Sequence, residues 1–178
     1  MQKIEFQNEI YYYHNNRFLD SMFIEVDENT AKELAKEILL NIDYSEYSSE
    51  GLRDYIIDLK EAGLYKSAKD ACLYGIDKYP IKTDFLKVVI PILTSCLRGF
   101  GNPEEAIKVA MVYLFRKEVH SVPYFTSLAA AYCDIKDYSN ALKYANRGYA
   151  TQGGGTGERN ELSLVYRRIK REMGENNV

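Results

Sequence analysis

The side chains best equipped for chemistry in this chain are two histidines, three cysteines and one glycine-rich stretch. His14 lies in "HNN" and His120 in "EVHSV". Neither has around it the Cys, Asp or Glu pattern that ligates a metal or activates a nucleophile, so both read as exposed loop histidines. Cys72, Cys96 and Cys133 are odd in number and far apart, and each falls within an apolar helical pattern. No pair has zinc or C-x-x-C spacing, which predicts buried, reduced thiols. "QGGGTGER", from Gln152 to Arg159, leads glycines into a helix N-terminus, where backbone N–H groups can cradle an anion. A P-loop needs a lysine and a preceding strand, and this stretch has neither. It reads first as a turn. Its alternative reading is a nucleotide or phosphometabolite site from Gly153 to Gly157. No catalytic residue, metal or cofactor is assigned, and a non-enzymatic protein is expected.

The elements that would position these groups are helices. In "TSLAAAYCDIKDYSNALKYA", Phe125, Leu128, Ala129 and Tyr132 recur at helical steps on one face. Asp137 offers an N-cap oxygen to a second helix striped by Tyr138, Ala141, Ala145 and Gly148. Small residues stand where the two stripes would face each other. The pattern repeats upstream through Leu52, Tyr55, Leu59, Gly63, Ala68, Cys72 and Gly75. It repeats again through Ile90, Leu93, Thr94, Leu97, Gly101, Ala106 and Ala110. Ala68, Ala106 and Ala141 begin the three second helices, at spacings of 38 and 35 residues, the first a four-residue excess over a period of about 34 residues. Pro91 falls inside a predicted helix, which must kink there or start later.

This segment, residues 49–155, resembles three tetratricopeptide (TPR) repeats, each a helix-turn-helix of about 34 residues. Leu128 and Ala129 with Tyr132, then Tyr138 with Ala141, match the family pattern, as do Ala68 and Pro80. Ile56 stands where the first copy should carry a small residue, and Leu52, Ile90 and Phe125 stand where tryptophan is common. The resemblance implies an all-α, right-handed solenoid of helical hairpins. Its function would be that of a protein- or peptide-binding adaptor or regulator using a concave groove. In that register the groove is lined by Arg53, Ile57 and Lys60, then Pro91, Ser95 and Arg98, then Thr126, Ala130 and Cys133. Positions matching the family's carboxylate clamp for chaperone tails hold Arg53, Ile57, Ile92, Pro123 and Ser127. Only Arg53 fits, which argues against that clamp.

Helix punctuation frames the repeats. Thr30 with Glu33 predicts a capped N-terminal helix spanning residues 29–48, and Asn102 before Pro103 predicts another start. Residues 156–178 read as a capping helix and short tail, with Thr156 as N-cap. Leu162, Val165, Tyr166, Ile169 and Met173 form its stripe, and Arg167, Arg168, Lys170 and Arg171 its polar face. Residues 1–28 do not fit the repeat. Their aromatic runs, divided by His14, Asn15 and Asn16, predict a small N-terminal β-hairpin that must pack on the helices or on another chain. That leaves self-association through this segment as the alternative function.

The chain holds 16 tyrosines and no tryptophan, which suits packed surfaces that end in water. A formal charge of −3 argues against a nucleic-acid partner. The charge is uneven: residues 1–50 carry −7, and the remainder +4. No apolar run reaches the roughly 18–20 residues of a membrane span, and no leader pattern opens the chain. A cytoplasmic protein without a membrane partner is expected.

Overall fold

The computed structural model describes residues 1–174; the tail expected beyond them lies outside the described residues. Three strands open the chain: β1 (Gln2–Phe6), β2 (Glu9–His14) and β3 (Arg17–Leu19). Eight helices follow: α1 (Glu28–Leu40), α2 (Ser49–Glu61), α3 (Tyr65–Lys78), α4 (Thr83–Gly99), α5 (Pro103–Val112), α6 (Val122–Asp134), α7 (Tyr138–Ala150) and α8 (Thr156–Glu172). The chain is mostly helical, as expected, and the expected N-terminal hairpin is extended to a three-stranded antiparallel sheet in the order β1-β2-β3. Asn15 and Asn16 make the expected turn, with φ of 48° and 62°. Gln7 and Asn8 make a second, with φ of 53° and 66°, and that one adds the extra strand. Positive φ at both central residues gives the turn a twist that matches its flanking strands, and asparagine tolerates it.

The sheet packs on α1 through β1 and β3, burying Ile4 and Leu34 in a small core of their own. Helix α1 is capped by Asp27, whose side chain accepts from the N–H groups of Asn29 and Thr30, not by Thr30 as its spacing with Glu33 predicts. It is also shorter than expected, ending at Leu40. Residues 41–48 are then held to the next helices by tyrosines. Tyr74 Oη donates to Ser45 O at 3.0 Å and Tyr79 Oη to Tyr47 O. Each ring packs on helical surface while its hydroxyl satisfies a loop carbonyl, the amphipathic use expected of tyrosine.

The main core runs from Leu52 to Ile169. Helices α2 and α3, α4 and α5, and α6 and α7 pair as hairpins, and their turns share one geometry. Gly63, Gly101 and Lys136 lie at φ 76°, 76° and 63°. Their N–H groups donate to Lys60 O, Arg98 O and Cys133 O, and those of the next residues to Leu59 O, Leu97 O and Tyr132 O. This is the Schellman end of a helix, made three times over. Five residues later come Ala68, Ala106 and Ala141, each fully buried and fourth in its helix. Gly75 and Gly148, both eleventh in theirs, are close-approach points. A Cβ at Gly75 would lie 2.4 Å from Phe85 Cζ, and one at Gly148 3.0 Å from Leu162 Cδ2.

The four-residue excess has a simple place. Helix α4 has 17 residues where α2 and α6 have 13, one extra turn at its N-terminus. It starts earlier than the pattern of Ile90 and Leu93 indicates and runs through Pro91, which is buried in it. Asn102 and Pro103 open α5 as expected, but the Asn102 side chain makes no capping bond. Asp137 does cap α7, accepting from Asn140 N. Gly155, not Thr156, is the N-cap of α8.

Candidate functional site

The predicted groove positions divide sharply by helix. On α2, Arg53 is half-buried and paired with Asp54 at 2.8 Å, Ile57 is half-buried and Lys60 is exposed. On α4, Ser95 is exposed and Arg98 half-buried, while Pro91 is enclosed. On α6, Thr126, Ala130 and Cys133 are only 7%, 2% and 1% exposed. Those three were expected on an open face. Helix α8 packs across α6 and α7, with Leu162 and Ile169 fully buried, and Cys133 Sγ donates to Glu172 Oε2 at 3.4 Å. The predicted cap therefore reaches Cys133, and the packing of α4, α5, α7 and α8 around α6 leaves none of the three on an open face.

Ser95 and Arg98 come together at a cleft of about 690 Å³ where the turn after α4 meets the ends of α3, α5 and α6. Tyr65, Phe100, Pro103 and Asp134 join them in its lining. Tyr65 is 51% and Phe100 46% exposed, so the cleft presents two accessible rings beside polar groups. Phe100 also borders a second hollow, of about 310 Å³, between α3 and α5, and Lys69 Nζ lies 5.8 Å from its ring centre. Cys96 lines the main cleft with its thiol pushed up by burial, while Lys60 and Lys69 pull it back down. Those two cations are therefore near enough to act on the cleft wall electrostatically.

A charge network fixes the cleft's far side. Arg98 Nε donates to Asp134 Oδ2 at 2.6 Å, and Arg168 Nη1 to Asp134 Oδ1 at 2.7 Å. Arg168 Nε also donates to Glu172 Oε1 at 2.7 Å. That hydrogen bond holds the Glu172 carboxyl below its usual range. One carboxylate thus joins α4, α6 and α8. Asp134 and Arg168 were not picked out as groove residues. The available signal was an opposite charge 36 residues from Arg98, close to one repeat.

The other chemical candidates are structurally occupied. Gly155 N donates to Glu158 Oε2 at 2.9 Å, so the helix's own carboxylate takes up the N–H offered by the glycine loop. Arg159 ties the same loop through Tyr149 O, Thr151 O and Gly153 O. Cys72, Cys96 and Cys133 are buried free thiols, the Cys133 thiol pushed up to about 11 by burial. His120 is not an exposed loop histidine. Its ring is half-buried, stacked on Tyr124 at 5.0 Å and edge-on to Phe125 at 4.9 Å. Among the described residues, no three of His, Cys, Asp and Glu gather where a metal could be held, and no helix is long and apolar enough to cross a membrane.

No family model matches this sequence, and no curated relative matches it either.

Proposed function

We propose that residues 49–155 form a TPR-like solenoid closed by α8, and that the protein is a non-enzymatic adaptor or regulator of the cytoplasm. Support for the solenoid comes from the thrice-repeated turn, the matched alanines, and the packing of α2 on α4, α4 on α6 and α6 on α8. Alternate helices packed in series form the inner layer of such a stack. The ligand is a protein segment or peptide, bound at the cleft beside the C-terminal end of α4 rather than along the whole length of that layer.

The observation that carries this reading is the cleft at Ser95 and Arg98, with exposed Tyr65 and Phe100 beside it. Exposed aromatic rings in a concavity give anchoring area at low entropic cost. Lys60 and Lys69 favour an acidic group on the ligand, and Arg98 is already committed to Asp134. A short segment pairing one apolar anchor with a carboxylate fits best.

Selection from a displayed peptide library tests it. Enriched peptides should carry that pairing, and Phe100→Ala or Lys60→Glu should weaken their binding roughly tenfold by fluorescence anisotropy, a loss of about 1.4 kcal/mol. Lys143→Glu, on exposed α7 surface, should leave binding unchanged. Peptides indifferent to both cleft changes would overturn the assignment.

A further inference from the structure

The two edges of the N-terminal sheet are treated differently. Along β3, the following segment folds back to cover the edge: Leu19 bridges to Glu25, and Val26 N donates to Phe18 O at 3.0 Å. Strand β1 has its ladder to β2 on one side, and no further hydrogen bond is made to its backbone among the described residues. An open edge is a template for another strand.

The hairpin dictates which groups that edge offers. A two-residue turn at Gln7 and Asn8 makes Phe6 and Glu9 a hydrogen-bonded pair, and bonding alternates from there. Gln2, Ile4 and Phe6 therefore direct their backbone groups at β2, while Lys3 and Glu5 direct theirs outward. A second β1 arriving antiparallel can pair only residues of this outward set. Three such registers are available. Lys3 facing Lys3 and Glu5 facing Glu5 oppose like charges, which is destabilising. The third sets Lys3 against Glu5 twice, about a two-fold axis at Ile4.

We propose that β1 pairs with β1 of a second copy of this chain in that third register, giving a continuous six-stranded sheet. Four backbone hydrogen bonds form across the axis, two between each Lys3 and the Glu5 opposite. Lysine on an edge ordinarily blocks self-pairing, but here a glutamate two residues on supplies its complement. Within one chain these side chains already meet, Lys3 Nζ lying 2.7 Å from Glu5 Oε1, on the face away from buried Ile4. Pairing redirects that attraction across the interface. The surface is separate from the cleft at Ser95, so either assignment can fail without the other.

Charge exchange in the full-length protein tests it by sedimentation velocity over a concentration series. The native chain should dimerise. Lys3→Glu and Glu5→Lys should each weaken the dimer roughly tenfold or more, since each sets like charges opposite one another twice. Mixing the two single variants should restore association as a heterodimer, because each then supplies what the other lacks. The double variant K3E/E5K should dimerise like the native chain. Circular dichroism confirms that each variant is folded. A native monomer at the highest soluble concentration overturns the proposal. So does a dimer indifferent to the single changes, or a failure of the mixed variants to associate.

Discussion

Arg98 and Asp134 stand 36 residues apart in the chain and 2.6 Å apart in space, with Arg168 closing on the same carboxylate from α8 at 2.7 Å. The pair is about one-fifth exposed on either side, so its charges are only partly solvated. Such a junction does two things. It sets the wall of the cleft, and it ties the closing helix to the middle of the array.

Asp134→Asn should therefore cost about 1–2 kcal/mol in urea unfolding, since two guanidinium groups lose a charged acceptor. The Arg98→Ala and Arg168→Ala losses should be non-additive, because both act through Asp134. Strict additivity would mean that the two ion pairs are independent.

The three Schellman turns make an internal control. Two use glycine at positive φ, and the third uses Lys136 at 63°. Lys136→Gly should stabilise the protein by roughly 0.5–1 kcal/mol, and Gly63→Ala should destabilise it by about 1 kcal/mol. Space does not explain the second effect, because nothing lies within 4 Å of a Cβ at Gly63. Thermal midpoints of the two variants should move in opposite directions.

Gly75 presents the reverse case, a helical glycine whose conformation any residue could adopt. Its Cβ would press on Phe85 and Leu52 where α3, α4 and α2 meet. Helix propensity alone favours Gly75→Ala by about 1 kcal/mol. Overpacking of roughly 1–3 kcal/mol should outweigh it. A raised midpoint would show that Phe85 moves aside freely.

His120 gives the stability a pH dependence of definite sign. Burial lowers its pKa from the ordinary 6.5, and the nearby Arg147 charge adds to the effect. As pH falls, the unfolded chain takes up this proton before the folded one does, so stability declines below about pH 6.5. Carboxylates held low, such as Glu172 by Arg168, lose their contribution only at more acidic pH. His120→Gln should flatten the urea-midpoint profile between about pH 5 and 7. An unchanged slope would locate the proton uptake elsewhere.

Much of the helical array was legible from local rules. Ala68, Ala106 and Ala141 mark equivalent places because a close helix contact admits only small side chains, and that demand recurs along the chain. Asp137 could be read as a cap because an N-cap acts over three residues. The Asn15 and Asn16 turn was legible for the same reason, whereas Gln7 and Asn8 lacked a composition that announces one.

What sequence alone determined, then, was periodic and short-ranged: helix pairs, their turns, buried thiols and an amphipathic closing helix. Only tertiary structure decided which predicted groove positions remain open. Burial of Thr126, Ala130 and Cys133 depends on how α4, α5, α7 and α8 come to rest around α6, and no local pattern encodes that arrangement. It likewise decided that His120 lies against two aromatic rings and that Arg98 meets Asp134. Such contacts depend on how successive hairpins stack, because charge and burial act through space while propensity and capping act along the chain.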